Sequence, residues 1–283
     1  DWIMTRTGIR ERRIAGKGVP TSELAAQAAR NALENAGLEA SDIELIIVAT
    51  ISPDMIFPAT ACLVQYKLGA VCPAYDISAA CSGFPFAMSA AQAYVASGMY
   101  KRVLVIGAEV LSTYIDWTDR STCVLFGDGA GAAVLAPATN GRVILCTQLG
   151  SSGKYADLLK LPAGGSALGT SEQTIREKLH FLKMDGKEIF KLAVRYMGDA
   201  VSKLLQDNHL ELKDIACLIP HQANLRIISA VADRVGMPME RVFVNVDKYG
   251  NMSSAASIVA LAEASESGRI KSGDLVVLVA FGA

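Results

Sequence analysis

Three residues carry most of the chemistry legible in this sequence: Cys81, His221 and Asn251. Cys81 lies in Asp76-Ile-Ser-Ala-Ala-Cys-Ser-Gly-Phe84, where an apolar, strand-like approach over 71–77 meets small residues. A long apolar helix pattern then runs from about Phe84 to Ser97. A thiol between a strand end and a helix start faces the first unsatisfied N–H groups of that helix and the positive end of its dipole. This setting is expected to lower the thiol pKa and favour the nucleophilic thiolate. Ser82 and Gly83 add little bulk, so a second molecule can approach the sulfur.

A nucleophilic cysteine needs a positioned base or hydrogen-bonding partner. The chain has three histidines. His180 follows a basic segment and His209 lies in a polar helix-to-strand turn, so both read as solvated. His221 ends the buried run Ile215–Ile219, at the strand mouth where open α/β sheets collect ligands. Singly, each residue is ordinary: a small core cysteine, a satisfied strand-end histidine, an asparagine in a turn after Gly250. Together, a thiol, an imidazole and an amide make a thioester-exchange set. The thiolate attacks while the other two stabilise an oxyanion.

The elements that must position them read as follows. A basic, loop-like segment (1–20) precedes a helix opened by Thr21-Ser22-Glu23 and stopped by Gly37. Residues 43–50 are a strand buried on both faces. A helix from about Ala59 to Leu68, the Cys81 strand and helix, and a strand over 102–107 follow. Gly127-Asp-Gly129 lacks the Lys-Ser/Thr of a Walker loop and the G-x-G-x-x-G spacing. It is expected to turn between two strands, 123–126 and 130–136, and is not a nucleotide site. A strand over 142–147, an irregular stretch over 150–175 and an amphipathic helix over 185–206 come next.

The sequence then repeats itself. Leu38-x-x-x-Asp42-Ile43 matches Leu210-x-x-x-Asp214-Ile215, Gly69 matches Gly236, and Ser97-Gly98 matches Ser267-Gly268, with offsets of 172, 167 and 170. An offset of 170 carries Cys81 onto Asn251. The chain is expected to be two duplicated α/β halves, 1–138 with the cysteine and 139–283 with the histidine and asparagine. The first half lacks a mate for the strand at 142–147, so an N-terminal strand and the C-terminal end are expected to be missing from a fragment.

Composition excludes several classes. At 283 residues, 51% apolar and a formal charge of −1, the chain has no basic patch interleaved with aromatics, so no nucleic-acid partner is expected. No apolar run has the length of a membrane span. The six cysteines show no C-x-x-C spacing and read as reduced thiols of a cytosolic protein, with no disulfide framework and no metal site.

These strings resemble the thiolase-like condensing enzymes, and within them the β-ketoacyl-[acyl-carrier-protein] synthase III family. The matching motifs are Trp2-Ile-x-Thr-Arg6-Thr-Gly-Ile-Arg-Glu-Arg, Ala79-Ala-Cys81-Ser-Gly-Phe, Phe126-Gly-Asp-Gly-Ala-Gly, Pro220-His221-Gln-Ala-Asn224-Leu-Arg226, Gly250-Asn251 and Phe281-Gly. Thiolases would show a second catalytic cysteine, and elongating ketosynthases a histidine in place of Asn251. The resemblance implies a five-layer αβαβα fold and an initiating ketosynthase of type II fatty-acid synthesis in a bacterial cytosol or a plastid. Cys81 would take an acyl group, acetyl for choice, from acyl-CoA, with the backbone N–H groups of Cys81 and Ala283 as oxyanion hole. His221 and Asn251 would stabilise the enolate formed when malonyl-acyl-carrier protein loses CO2, giving a 3-ketoacyl-carrier protein. Trp2 and Arg120 would sandwich the CoA adenine, Arg6 would lie near its phosphates and Asn224 would meet the pantetheine arm. Lys191 and Arg226 would dock the carrier protein, and Phe57 would close the acyl channel across a homodimer. No cofactor beyond the acyl-CoA substrate is implied. Ala283 stands where the family commonly has Gly. Two other readings are an acyl-CoA-primed ketosynthase of a specialised, polyketide-like pathway and a non-catalytic partner subunit that only binds carrier protein.

Overall fold

The computed structural model describes residues 2–138 and 143–282. The run Leu45–Ala49 (β1) is wholly buried and forms the middle of a sheet with Ala74–Ile77 (β2), Val103–Glu109 (β3) and Gly129–Leu135 (β4), in the order β2-β1-β3-β4. β1 pairs in parallel with β2 and β3, and β4 runs antiparallel to β3, Val103 facing Leu135. One face of this sheet packs on helices Thr21–Ala36 (α2) and Thr60–Leu68 (α3) through Ala25, Ala29, Ile46, Val48 and Val64. The other face packs on Gly83–Ala96 (α4) through Leu45, Ile47 and Phe84, with Ile258 of Ser254–Glu266 (α9) beside it.

Beyond α4 and α9 lies a second, parallel pair, Ile215–Pro220 (β7) and Leu275–Val279 (β8). Cys217 and Ile219 of β7 pack on Ala260 and Ala264 of α9. The far side is closed by Gly186–Asp207 (α6) and Leu225–Val235 (α7) around Met197, Leu218 and Val231. The layers therefore read α, β, α, β, α, as the resemblance implied. Short elements fill the rim: Trp2–Thr7 (α1), Leu159–Lys160 (β5), Glu172–Arg176 (α5), Lys183–Met184 (β6) and Val246–Tyr249 (α8).

The duplication is visible in local chemistry. Asp42 accepts from the Glu39 N–H at 2.9 Å and Asp214 from the Glu211 N–H at 2.8 Å, so each Leu-x-x-x-Asp string caps a helical turn before a buried strand. Gly69 and Gly236 both stop their helices in the left-handed conformation that glycine adopts without strain. The expected boundary at 138/139 adjoins residues 139–142, which lie outside the described ones.

Four expectations are corrected. Residues 2–7 are helical. Residues 143–150 pair with no strand; the segment instead lies along α4, where Gln92 Nε2 donates to Ile144 O at 2.8 Å. Residues 123–126 make no hairpin with β4, because Asp128 turns the chain away by accepting from Ser112 N, Ser112 Oγ and Ala15 N at 2.8, 2.6 and 2.8 Å. Finally, an apolar pattern on nearly every face predicts that the helix after Cys81 and its mate after Asn251, α4 and α9, are both almost fully buried between two sheets. α9 is buried almost without break from Ser254 to Ala260 because sheets flank it on both sides. α4 packs mainly on the first sheet and meets the second through little more than Leu278, so Phe86, Met88 and Val95 are half-buried. Among the described residues, no helix is long and apolar enough to cross a membrane.

Candidate active site

Cys81 sits at a sharp elbow. β2 ends at Ile77, Ala80 turns the chain at φ +44, and α4 begins at Gly83. A non-glycine residue at positive φ is strained, and such strain commonly marks a functional turn. Gly83 is tightly packed, since a Cβ there would lie 3.1 Å from the Ala49 Cβ and 3.2 Å from the Ser254 Cβ.

His221 continues β7, its N–H donating to Val279 O at 2.7 Å. The residue after it fixes the loop. Gln222 donates to Pro220 O at 2.7 Å and accepts from Asn245 N and Val246 N at 2.9 and 3.1 Å. Nothing in the sequence marked Gln222 for this task.

Asn251 is tied to the first half by backbone. Its N–H donates to Leu125 O at 2.9 Å, and its carbonyl accepts from Gly127 N at 3.0 Å. That close approach explains the glycine cluster: a Cβ on Gly127 would lie 2.5 Å from Tyr249 O. The Asn251 Oδ1 accepts from Ser253 N at 2.8 Å. The carbonyl end of the amide is thereby occupied, and its N–H end is left to donate.

Cys81, His221 and Asn251 line one cavity of about 630 Å3, walled by Phe190, Met184 and Met197 among others. A more open groove elsewhere, lined by Arg269, Lys271 and Asp274, contains none of the three. Both His221 ring nitrogens are buried without a partner. Burial pushes the imidazole down to about 4, partly offset by the Asn251 amide, so it is neutral at pH 7. Burial also pushes the Cys81 thiol up to about 11. Ser253 and Asn251 pull it down, and the Glu109 carboxyl adds to the rise. The expectation of a lowered thiol pKa is thus overturned, because loss of solvent outweighs the helix terminus. A neutral thiol beside two neutral donors suits a site that meets negative charge only during reaction.

The other sequence-selected residues fall in distinct places. Arg6, Asn224, Arg226 and Lys191 line the same cavity. Asn224 caps α7, its Oδ1 accepting from Ile227 N at 2.9 Å, so its N–H2 remains free for a ligand. Trp2 is 53% exposed and has the Arg120 guanidinium 5.3 Å above its ring, in direct cation–π contact. Arg226 lies over Phe190 at 5.7 Å, while Lys191 is paired to Glu188 at 2.6 Å. Phe57 is 82% exposed and does not line the cavity. Ala283 lies outside the described residues. Among the described residues no group of three His, Cys, Asp or Glu side chains is placed to hold a metal ion. His209 is exposed as expected, but His180 is half-buried against Phe181, with ring centroids 4.1 Å apart.

The sequence reading gave no role to Gly282, which stood only within the Phe281-Gly motif, and passed over Ser253 and Glu109. A Cβ on Gly282 would lie 2.6 Å from the Cys81 N. Ser253 holds φ +46, ψ −120, a second strained elbow. At the offset of 171 that relates the two helix starts, Ser253 falls opposite Ser82, the residue just before its helix.

Residues 75–153 match the family described as 3-oxoacyl-[acyl-carrier-protein (ACP)] synthase III, and residues 205–283 match its C-terminal part. The chain is 54% identical to a β-ketoacyl-[acyl-carrier-protein] synthase III of Clostridioides difficile, over all of this chain and 86% of the relative. The crystal structure of 3-oxoacyl-[acyl-carrier-protein] synthase III from Aquifex aeolicus superposes with a TM-score of 0.91 at 45% identity, covering 100% of this chain and 87% of that one. The priming β-ketosynthase from the R1128 polyketide biosynthetic pathway superposes with a TM-score of 0.87 at 36% identity, covering 100% and 84%. An elbow cysteine facing a histidine and an asparagine across a duplicated five-layer fold, and identity running the length of the chain, lead to one conclusion: this protein belongs to the 3-oxoacyl-[acyl-carrier-protein] synthase III family.

Proposed function

We propose that the chain is the initiating ketosynthase of type II fatty-acid synthesis, acting on an acyl-CoA and on malonyl-acyl-carrier protein. The observation that carries this is the meeting of Cys81, His221 and Asn251 on one largely apolar cavity. Cys81 Sγ attacks the acyl-CoA carbonyl as its thiol proton departs. The oxyanion is assigned to the backbone N–H groups of Cys81 and, outside the described residues, Ala283. Collapse breaks the C–S bond to CoA, which leaves as a thiol after taking up a proton. Malonyl-carrier protein then enters along the same cavity and loses CO2. The enolate oxygen accepts from the Asn251 amide and the neutral His221 N–H. The carbanion forms a C–C bond to the acyl carbonyl, expels Cys81 thiolate and yields a 3-ketoacyl-carrier protein, after which the thiolate is reprotonated.

Trp2 and Arg120 take the adenine between them, which requires their contact to open, and Arg6 meets the phosphates. Arg226 and Lys191 form the basic rim for the acidic carrier protein, Arg226 the more available because it carries no ion pair among the described residues. Met55, Ile56 and Phe57 project from one loop into solvent, an apolar tip that supports a homodimer with Phe57 closing the partner's acyl channel. The reading needs acyl-CoA as substrate, no resident cofactor, and the reducing cytosol that the free thiols suit. The two halves divide near residue 138. A priming enzyme of a polyketide-like pathway stands second, since that relative is the less similar in sequence.

Mass spectrometry after incubation with a panel of acyl-CoAs tests this. An acyl adduct on Cys81, absent from Cys81→Ala, is expected, and the adduct names the primer. Asn251→Ala should still acylate yet decarboxylate malonyl-carrier protein ~10²–10³-fold more slowly, the scale of one lost oxyanion donor. An Asn251→Ala protein that cannot be acylated would end this division of labour.

A further inference from the structure

Glu109, the last residue of β3, has no exposed surface, and the reaction above does not use it. Its Oε2 accepts from Ser52 Oγ at 2.6 Å, from Ile51 N and Ser52 N at 3.1 Å each, and from Thr50 Oγ1 at 3.2 Å. Its Oε1 lies 2.8 Å from Ser254 Oγ, whose other neighbour is Ala49 O at 2.7 Å. One carboxyl therefore gathers the loop after β1 and the first residue of α9, which belong to opposite halves of the chain.

Ser254 follows Ser253 directly, and Ser253 is strained at φ +46, ψ −120. Strain of this kind persists only where the surroundings over-determine it. The restraints are on the page. Ser254 is held by Glu109 and Ala49, and its carbonyl abuts Gly107 of β3, where a Cβ would lie 2.6 Å from it. The strained Ser253 in turn presents the N–H that fixes the Asn251 Oδ1. Released from its anchor, this turn would relax toward an ordinary conformation and take that N–H away. The Asn251 amide would then lose its orientation, although Asn251 itself stays in place through Leu125 and Gly127.

We propose that Glu109 is a positioning residue that, through Ser254 and the strained Ser253, holds the Asn251 amide N–H toward the reacting carbonyl. It never touches substrate. The proposal rests on the assignment of Asn251 to decarboxylation, and the experiment separates the two.

The test compares Ser254→Ala, Glu109→Ala, Glu109→Gln and Asn251→Ala in the full chain. Two half-reactions are read: acylation of Cys81 by acyl-CoA, and CO2 release from malonyl-carrier protein. Ser254→Ala removes the hydroxyl that links α9 to Glu109 and to Ala49 O, and leaves the 3.4 Å bond from Ser254 N to Glu109 Oε1 and the bonds to residues 50–52, so it is the variant least exposed to failure in folding. It is expected to slow CO2 release at least tenfold in kcat with KM within about twofold, and to acylate within threefold of the parent. Glu109→Gln retains a group that can bond both Ser52 and Ser254 and should restore most of what Glu109→Ala loses. Asn251→Ala combined with Ser254→Ala should be no slower than Asn251→Ala alone, because both act through one amide. Equal losses in both half-reactions, or an unimpaired Ser254→Ala beside an impaired Asn251→Ala, would overturn the positioning role. An unimpaired Asn251→Ala would remove the reading beneath it.

Discussion

The backbone of Gly282 lies directly against that of Cys81. A Cβ at 282 would stand 2.6 Å from the Cys81 amide nitrogen and 2.9 Å from that of Ser82, closer than real carbon atoms approach. The N–H of Cys81 and the segment after β8 are thus packed as one surface, with no room for a side chain between them. Gly282→Ala must push this surface apart. Acylation of Cys81 is expected to fall roughly 10²-fold, the scale of a displaced oxyanion donor. Wild-type acylation kinetics in Gly282→Ala would show that the contact is incidental to chemistry.

The thiol itself gives a second expectation. With burial pushing Cys81 up to about 11, only a small fraction is thiolate at neutral pH in the free protein. Alkylation of Cys81 by iodoacetamide should therefore keep rising from pH 7 to pH 10 without levelling off. A plateau reached by pH 7 would mean that the helix start governs the sulfur after all.

His221 links the site to stability. Its pKa is pushed down to about 4 in the fold and returns to about 6.5 on unfolding. The unfolded chain therefore binds the extra proton first, and stability is lost as pH falls from about 6.5 toward 4. The shift corresponds to an effect on the order of 3 kcal/mol. Thermal midpoints of the parent should drop more steeply across this window than those of His221→Gln. Parallel curves for the two proteins would contradict a buried, neutral imidazole.

Arg226 stands exposed at the rim, five positions after His221, stacked on Phe190. Rim charges act mainly on association rate and on its salt dependence. Arg226→Glu should raise KM for malonyl-carrier protein several-fold and flatten its response to salt, with acylation by free acyl-CoA nearly unchanged. Similar losses with both substrates would move Arg226 from docking to the CoA path or to the fold.

Much of this was legible in the chain because it rests on local patterns. The glycine stops at 37, 69 and 236, the buried run at 45–49 and the repeated Leu-x-x-x-Asp strings each encode their element within a few residues. Cys81, His221 and Asn251 were findable because the repeat aligned them and their flanking strings are distinctive. What escaped was set by distant partners. Asp128 reads as a turn residue, yet three donors from residues 15 and 112 converge on it and redirect the chain past the expected hairpin. Glu109 reads as an ordinary charge at the end of an apolar strand, and only the fold brings six donor groups onto it. The thiol pKa went the other way for a related reason: the helix start is written in the sequence, whereas the depth at which it is buried is not.

The two strained elbows are not quite superimposable. Ala80 comes one position before Cys81, whereas Ser253 comes two positions after Asn251, so the helix starts lie 171 apart and the elbows 173. Elbows in perfect register would present residues 81 and 251 from the same side of the bend. The slip of a few residues breaks that equivalence. One half presents Cys81 from the helix side of its bend and the other presents Asn251 from the strand side of its own. On the function proposed above, this asymmetry inside a doubled architecture is what sets a thiol and an amide donor side by side for two consecutive steps.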